Sequence, residues 1–286
     1  MASNRLHARE LGIFLRARRN RLRPQDVGLE PGGRRKVAGL RREELALLAG
    51  LSTDYYQRME QGREVRPSDD LLDALATALK LDEEERRHLF ALADAVRRGA
   101  PEVRGDEEVV PDATRHLLHS LSTPAYVLGR HLDVLAWNDM AEALLGDPSD
   151  AQPPQRNMLM ALFLDPEVRF RCAHWESTAV EYLGMLRATV AADPSHPRGT
   201  AIVGELSIRS TDFRRLWDRY DVRAPVQGTK TFRHREIGEI TLDWATYPLP
   251  GGPGPVLMVY TAEPGTAEAE KLALLGVLHQ NRRSRS

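Results

Sequence analysis

The chain has one cysteine, four lysines and no long apolar run. Cys172 stands alone, so no internal disulfide can form, which fits a reducing compartment. No apolar run approaches the ~18 residues that a membrane-crossing helix needs. The opening residues, MASNRLHARELGIF, lack the basic-then-apolar layout and small-residue cleavage site of a secretory signal. These absences lead us to expect a cytoplasmic protein. Enzyme signatures are missing as well: there is no phosphate loop, no GxGxxG opening a helix, and no CxxC, HExxH or GxSxG. His116 and His119 are three apart but have no third metal ligand in a plausible place, so a solvated helix face explains them. Cys172 and His174 are two apart, a spacing that on a helix points side chains to different sides. A self-cleaving repressor needs a Ser/Lys dyad, and no serine context matches Lys230. We expect no enzyme, no metal and no cofactor.

Of the 40 basic residues only Lys36, Lys80, Lys230 and Lys271 are lysines. With many Ala, Gly and Pro, that skew points to a high-GC bacterial genome, which concerns source and not function. The formal net charge of −1 hides an asymmetry: residues 1–66 hold 15 Lys/Arg against 8 Asp/Glu, and the remaining residues hold 25 against 33. A basic front end on an acidic body is an electrostatic footprint for a polyanion, although arginine-rich helices also serve as plain solvated faces.

The length of 286 residues allows two domains. Helical periodicity fills 8–95, with Leu11, Phe14, Leu15 and Leu22 at helical spacings in the first helix. RPQDVGLEPGGRRKVAG (23–39) breaks it with Pro24, Pro31 and Gly32-Gly33. Further helices are expected over about 41–49, from Ser52 to Gly62, from Pro67-Ser68, and over LDEEERRHLFALADA. The unpatterned stretch RRGAPEVRGDEEVVPD then reads as a linker. Beyond it the texture changes. PAYVLGRHLDVLAWN reads as two strands, helices follow to about 221, and TKTFRHREIGEITLDWATYPL with PVLMVYTAE reads as three more strands. The expected layout is a helical domain at 1–96, a linker at 97–111, an α+β domain at 112–265 with one antiparallel sheet, and a tail at 266–286 forming a short, frayed helix.

EELALLAGLSTDYYQRMEQG supplies a helix-turn-helix: two short helices, a sharp turn and small residues where they cross. Leu45, Ala46 and Ala49 face inward, Gly50 takes the positive φ of the turn, and Leu51 plugs the corner. Tyr56 and Met59 hold the inner face of the second helix. Thr53, Asp54, Tyr55, Gln57 and Arg58 are left outward, where side chains can bond base edges. Arg41 and Arg42 precede the pair, and Arg63 and Arg66 follow it, at positions suited to phosphates. An acid facing DNA lowers affinity unless it accepts from a cytosine or orients a neighbour, and an Asp54–Arg58 pair has the right spacing.

This stretch strongly resembles the Cro/C1-type (XRE) helix-turn-helix family through its ELA..AG.S core, its R.EQG exit and the RPS link to the fourth helix, across residues 8–95. The resemblance implies an all-α five-helix DNA-binding domain, with Thr53, Asp54 and Arg58 entering the major groove. The 23–39 insert departs from the minimal pattern; Arg34, Arg35 and Lys36 within it either add DNA contacts or sit in a disordered loop. One reading helix covers a half-site, so a homodimer on a palindromic double-stranded operator is expected.

In the second domain strand parity puts Lys230, Phe232 and His234 on one face, and Ile240, Leu242 and Trp244 on one face. Phe163, Trp175, Tyr182 and Trp217 recur in the helices. Two readings stay open: an ordinary aromatic core with Lys230 and His234 reaching solvent, or an apolar ligand cavity with a few polar groups. In the second reading Trp137, Phe163, Trp175, Tyr182, Trp217, Phe232, Leu242 and Trp244 enclose the cavity, and Asn138, Lys230, His234 and Tyr260 form its polar end.

TPAYVLGRHLDVLAWNDMAEALLGD, RNMLMALFLDPEVR, GELSIRSTDFRRLWDRYDV and the strand region to VYTAEPG together resemble the MmyB-like transcription-regulator ligand-binding domain. That resemblance implies a PAS-like sheet domain following an XRE helix-turn-helix in actinobacterial regulators, with an apolar pocket for a fatty acid or similar lipid-like molecule. The competing expectation is a second domain that docks a protein or peptide.

Overall fold

The computed structural model describes residues 2–30, 39–63, 66–98, 108–152, 155–222, 225–250 and 254–284. Arg34, Arg35 and Lys36 of the insert, and most of the expected linker, lie outside them. The chain forms two compact units, one of residues 1–105 with 187–201 and 215–223, the other of residues 106–186, 202–214 and 224–286.

The first unit is built on α1 (Ala2–Arg21), α2 (Arg42–Leu48), α3 (Thr53–Glu60), α4 (Asp69–Ala78) and α5 (Glu83–Arg98). Leu11, Phe14 and Leu15 of α1 are fully buried with Leu45, Tyr56, Met59, Leu72, Leu75, Leu89 and Leu92. α3 and α4 start where a serine hydroxyl takes an orphan N–H. Ser52 Oγ accepts from the Tyr55 N–H at 3.2 Å, and Ser68 Oγ from the Leu71 N–H at 3.4 Å. Gly50 (φ 67°) makes the turn between α2 and α3, and Gly62 (φ 68°) ends α3. A Cβ on Gly62 would also strike the α1 backbone, 2.8 Å from Arg9 Cα. Tyr220 joins this core, its ring 5.7 Å from that of Phe14 and its carbonyl accepting from buried Arg18 at 2.8 Å.

The second unit is α+β. It holds α6 (Asp112–Ser120), β1 (Ala125–Leu128), β2 (Val134–Trp137), α7 (Asp139–Leu145), α8 (Met158–Leu164), α9 (Pro166–Arg171), β3 (Gln227–His234), β4 (Gly238–Pro248), β5 (Val256–Thr261) and α13 (Ala267–Arg283). Three helices, α10 (Trp175–Ala192), α11 (Pro197–Arg209) and α12 (Thr211–Asp218), contribute residues to both units. The five strands pair antiparallel in the order β2-β1-β5-β4-β3, a PAS-like sheet. Lys230 lies opposite Leu242 and Phe232 opposite Ile240, so the inward side chains of the two strands share one face. The other face of β1 and β5 is covered by α6, with Leu118 packed near Ala125, Val127 and Leu257.

The C-terminal segment differs from the short, frayed helix expected. α13 is 17 residues long, capped by Thr266, with Leu272 and Leu275 buried. A regular apolar stripe gives it a packing partner, and burial holds it together where propensity alone would not.

Candidate functional site

On α3 the inner face is Tyr56 and Met59, both at most 1% exposed. Thr53, Asp54 and Arg58 are exposed, and Tyr55 and Gln57 are half-buried. Arg63 and Arg66 are exposed just beyond. The helix thus presents a short polar ridge flanked by guanidinium groups. Among the described residues no ion pair joins Asp54 to Arg58, so the spacing permits a pair that the side chains do not make.

Arg41 and Arg42 divide in role. The Arg41 N–H donates to Glu44 Oε2 at 2.6 Å and closes the first turn of α2. Its guanidinium lies 3.6 Å from exposed Glu43. Arg42 instead donates to Glu60 Oε1 at 3.0 Å, so its charge is already engaged within the protein.

Glu60 was not singled out in the sequence. It ends α3 with its side chain wholly buried. Arg19 meets it with two parallel bonds of 3.0 Å, and Arg16 and Arg42 bind Oε1 as well. Burial pushes this carboxyl up, but the bonds from Arg19 and Arg42 outweigh it and hold the group below its ordinary value. A signal was present: Arg18 and Arg19 continue the Leu11–Leu15 stripe of α1, and an arginine on a buried stripe needs an acid.

The second unit contains a cavity of about 330 Å³. Tyr126 and Val134 of the sheet, Met158, Ala161 and Leu162 of α8, and Phe232 of β3 give it apolar walls. Asp147, Asp150, Arg156, Glu167 and Arg171 give it a polar margin. Cys172 sits in the wall, joined to Phe232 by an isolated β-bridge and not on a helix. Burial pushes its thiol up to about 11 while Lys230 draws it the other way, so the thiolate is scarce at neutral pH.

Lys230 is in this wall with its side chain 4% exposed. Its Nζ lies 3.4 Å from Glu181 Oε2, and 4.1 Å and 4.2 Å from the ring centres of Tyr182 and Trp244. Ring faces and a carboxylate together hold a buried ammonium that the cavity alone would destabilise.

Of the twelve residues expected around a cavity, Tyr182, Lys230 and Phe232 line it. The rest are placed elsewhere, each for a physical reason. Leu242, Trp244 and Tyr260 are core behind the lining, with the Tyr260 and Tyr182 hydroxyls 3.3 Å apart. Phe163 packs edge-on to Trp175 and Phe213, and Arg169 covers Trp175 at 3.7 Å. Trp137 lies under Arg156 at 5.2 Å. Trp217 belongs to the first unit and stacks on Arg187 at 3.9 Å.

Asn138 is a hub and not a pocket group. Its Oδ1 accepts from the N–H groups of Ala125 and Ala141, and its Nδ2 donates to the carbonyls of Leu118, Leu121 and Thr123. A carboxamide with both ends so engaged has little left for a ligand. His234 lines a separate depression with Arg171, His279, Arg282 and Arg283. Its imidazole is held below the ordinary value, first by burial and then by the Arg171 charge. Met158, Leu162 and Arg171 were missed because strand parity says nothing of helices that close over the sheet, and Tyr126 of β1 because parity was applied only to β3 and β4.

Among the described residues no group of three His, Cys, Asp or Glu side chains is placed to hold a metal, and no helix is long and apolar enough to cross a membrane. A model of the MmyB-like transcription regulator ligand binding domain matches residues 110–275, and a helix-turn-helix domain model matches residues 10–89. No curated protein matches the chain.

Proposed function

Because the chain belongs to the MmyB-like transcription regulator ligand-binding-domain family, with more than half its residues matched, we propose that it is a cytoplasmic, homodimeric regulator of bacterial transcription that reads a palindromic operator and responds to an apolar, lipid-like carboxylate. The observation that carries the ligand half is the apolar cavity with one buried ammonium, Lys230, in its wall. The DNA half is supported by the exposed ridge of Thr53, Asp54 and Arg58 between cationic flanks. A ligand alters DNA affinity by favouring one arrangement of the dimer over another.

For the DNA half, Arg58→Ala is expected to cost about 1–3 kcal/mol of discrimination between operator and mismatched sites. Arg63→Ala weakens every sequence alike and lowers the slope of log K against log salt by ~0.9. Fluorescence anisotropy with labelled duplexes across a salt series measures both. Salt-insensitive binding would sink the DNA reading.

For the ligand half, denaturing mass spectrometry of the purified protein should reveal a co-purifying amphiphile. Lys230→Met should weaken dodecanoate binding about ten- to a hundredfold, since a charge-assisted hydrogen bond contributes about 1.5–3 kcal/mol. Dodecanol, with the same chain and no charge, should lose less. Equal losses for acid and alcohol would remove the head-group assignment.

A further inference from the structure

Lys230 has donor capacity that its ion pair does not use. Its Nζ is buried in the cavity wall and makes no hydrogen bond among the described residues, and neither does Glu181 Oε2 at 3.4 Å. Native proteins rarely leave buried polar atoms so, and each such atom calls for a partner or a role. We propose that Lys230 captures apolar aldehydes as a Schiff base inside this cavity. The proposal rests on the reading of the cavity as a ligand site. A carboxylate of a given chain is held there by charge, whereas the aldehyde of that chain goes on to a covalent bond.

The groups around the nitrogen suit each step. Glu181 takes one ammonium proton, which frees the nitrogen lone pair. The lone pair attacks the aldehyde carbon, a C–N bond forms as the C=O π pair moves onto oxygen, and a proton passes from nitrogen to that oxygen, giving a neutral carbinolamine. Glu181 then returns its proton to the carbinolamine oxygen, the C–O bond breaks and one water leaves. The product is an iminium, so ammonium and aldehyde have become iminium and water with no change of oxidation state. The iminium keeps the positive charge. It therefore keeps the Glu181 counter-ion and the faces of Tyr182 and Trp244, whose ring centres stand 4.1 Å and 4.2 Å from Nζ. The aldehyde's chain meanwhile lies against Phe232, Tyr126 and Leu162. Cys172, the other nucleophile in the wall, is kept as a thiol by burial.

The chain's four lysines make the test clean. The full-length protein is treated with dodecanal below its solubility limit and with sodium cyanoborohydride, then digested and mapped. Lys230 should acquire a dodecyl group at least about tenfold faster than Lys36, Lys80 or Lys271. Lys230→Arg should abolish the fast labelling. Glu181→Gln should slow it by at least about tenfold, because an amide cannot accept the proton. Displacement of an apolar fluorescent probe by dodecanol and dodecanoate is measured in parallel. If those two bind and Lys230 is labelled no faster than the other lysines, the Schiff base is refuted and the cavity reading stands. If neither binds and Lys230 is not labelled, both fail together. Thermal melting of each variant shows that it is folded.

Discussion

Glu60→Gln is expected to lower the unfolding free energy of the helix-turn-helix by about 3–5 kcal/mol, the usual cost of removing one partner of a buried charge pair. The Arg19 side chain is 7% exposed and the Glu60 side chain 0%, so water cannot take over the lost bonds. Glutamine fills the same volume, but it brings an NH₂ group against guanidinium donors. Arg42 and Arg16 share this carboxylate through Oε1 and lose its negative charge as well, although the amide oxygen there still accepts. The pH dependence has a definite sign. The folded carboxyl is held below its ordinary value by Arg19 and Arg42, against the opposing push of burial. Its contribution to stability is therefore complete above the unfolded carboxylate value and is lost as pH falls through the folded one. The acid limb of the stability profile should be shallower in the variant than in the parent protein. Calorimetry across pH, with hydrogen exchange assigning the transition to α1 and α3, reads both effects. A loss below about 1 kcal/mol would mean that the cluster is dispensable.

Ala161→Trp should remove ligand binding almost completely. Ala161 lines the cavity from α8, one position before Leu162. An indole there takes space that a ligand chain would occupy. If it displaces about four methylenes at about 0.8 kcal/mol each, affinity for dodecanoate falls more than about a hundredfold. Overpacking costs about 1–3 kcal/mol of stability, so folding is checked beside binding. Calorimetric titration with dodecanoate decides it, and unchanged affinity would place the ligand outside this cavity. Comparison with Lys230→Met separates the contributions, since one variant removes volume and the other a charge.

Much of the architecture was determined by short-range rules that the sequence carries openly. Ser52 and Ser68 cap helices because a hydroxyl can reach an orphan N–H three residues on. Gly50 and Gly62 turn the chain because only glycine takes that φ without cost. Strand alternation put Lys230 and Phe232 on one face, and both line the cavity. Periodicity of this kind assigns a side chain to an inside, but it says nothing about what stands opposite. Lys230, Leu242 and Trp244 all point inward; only the first lines a void, because α8, α9 and α10 close over it. Asn138 has the type and position of a pocket group, but five backbone partners converge on it from the end of α6, the α6–β1 connection, β1 and the start of α7. Glu60 is tied to Arg19 across 41 residues of chain. Such pairings depend on which surfaces meet when distant elements pack. A cavity is likewise set by the distance between those surfaces, which no local repeat of the sequence encodes.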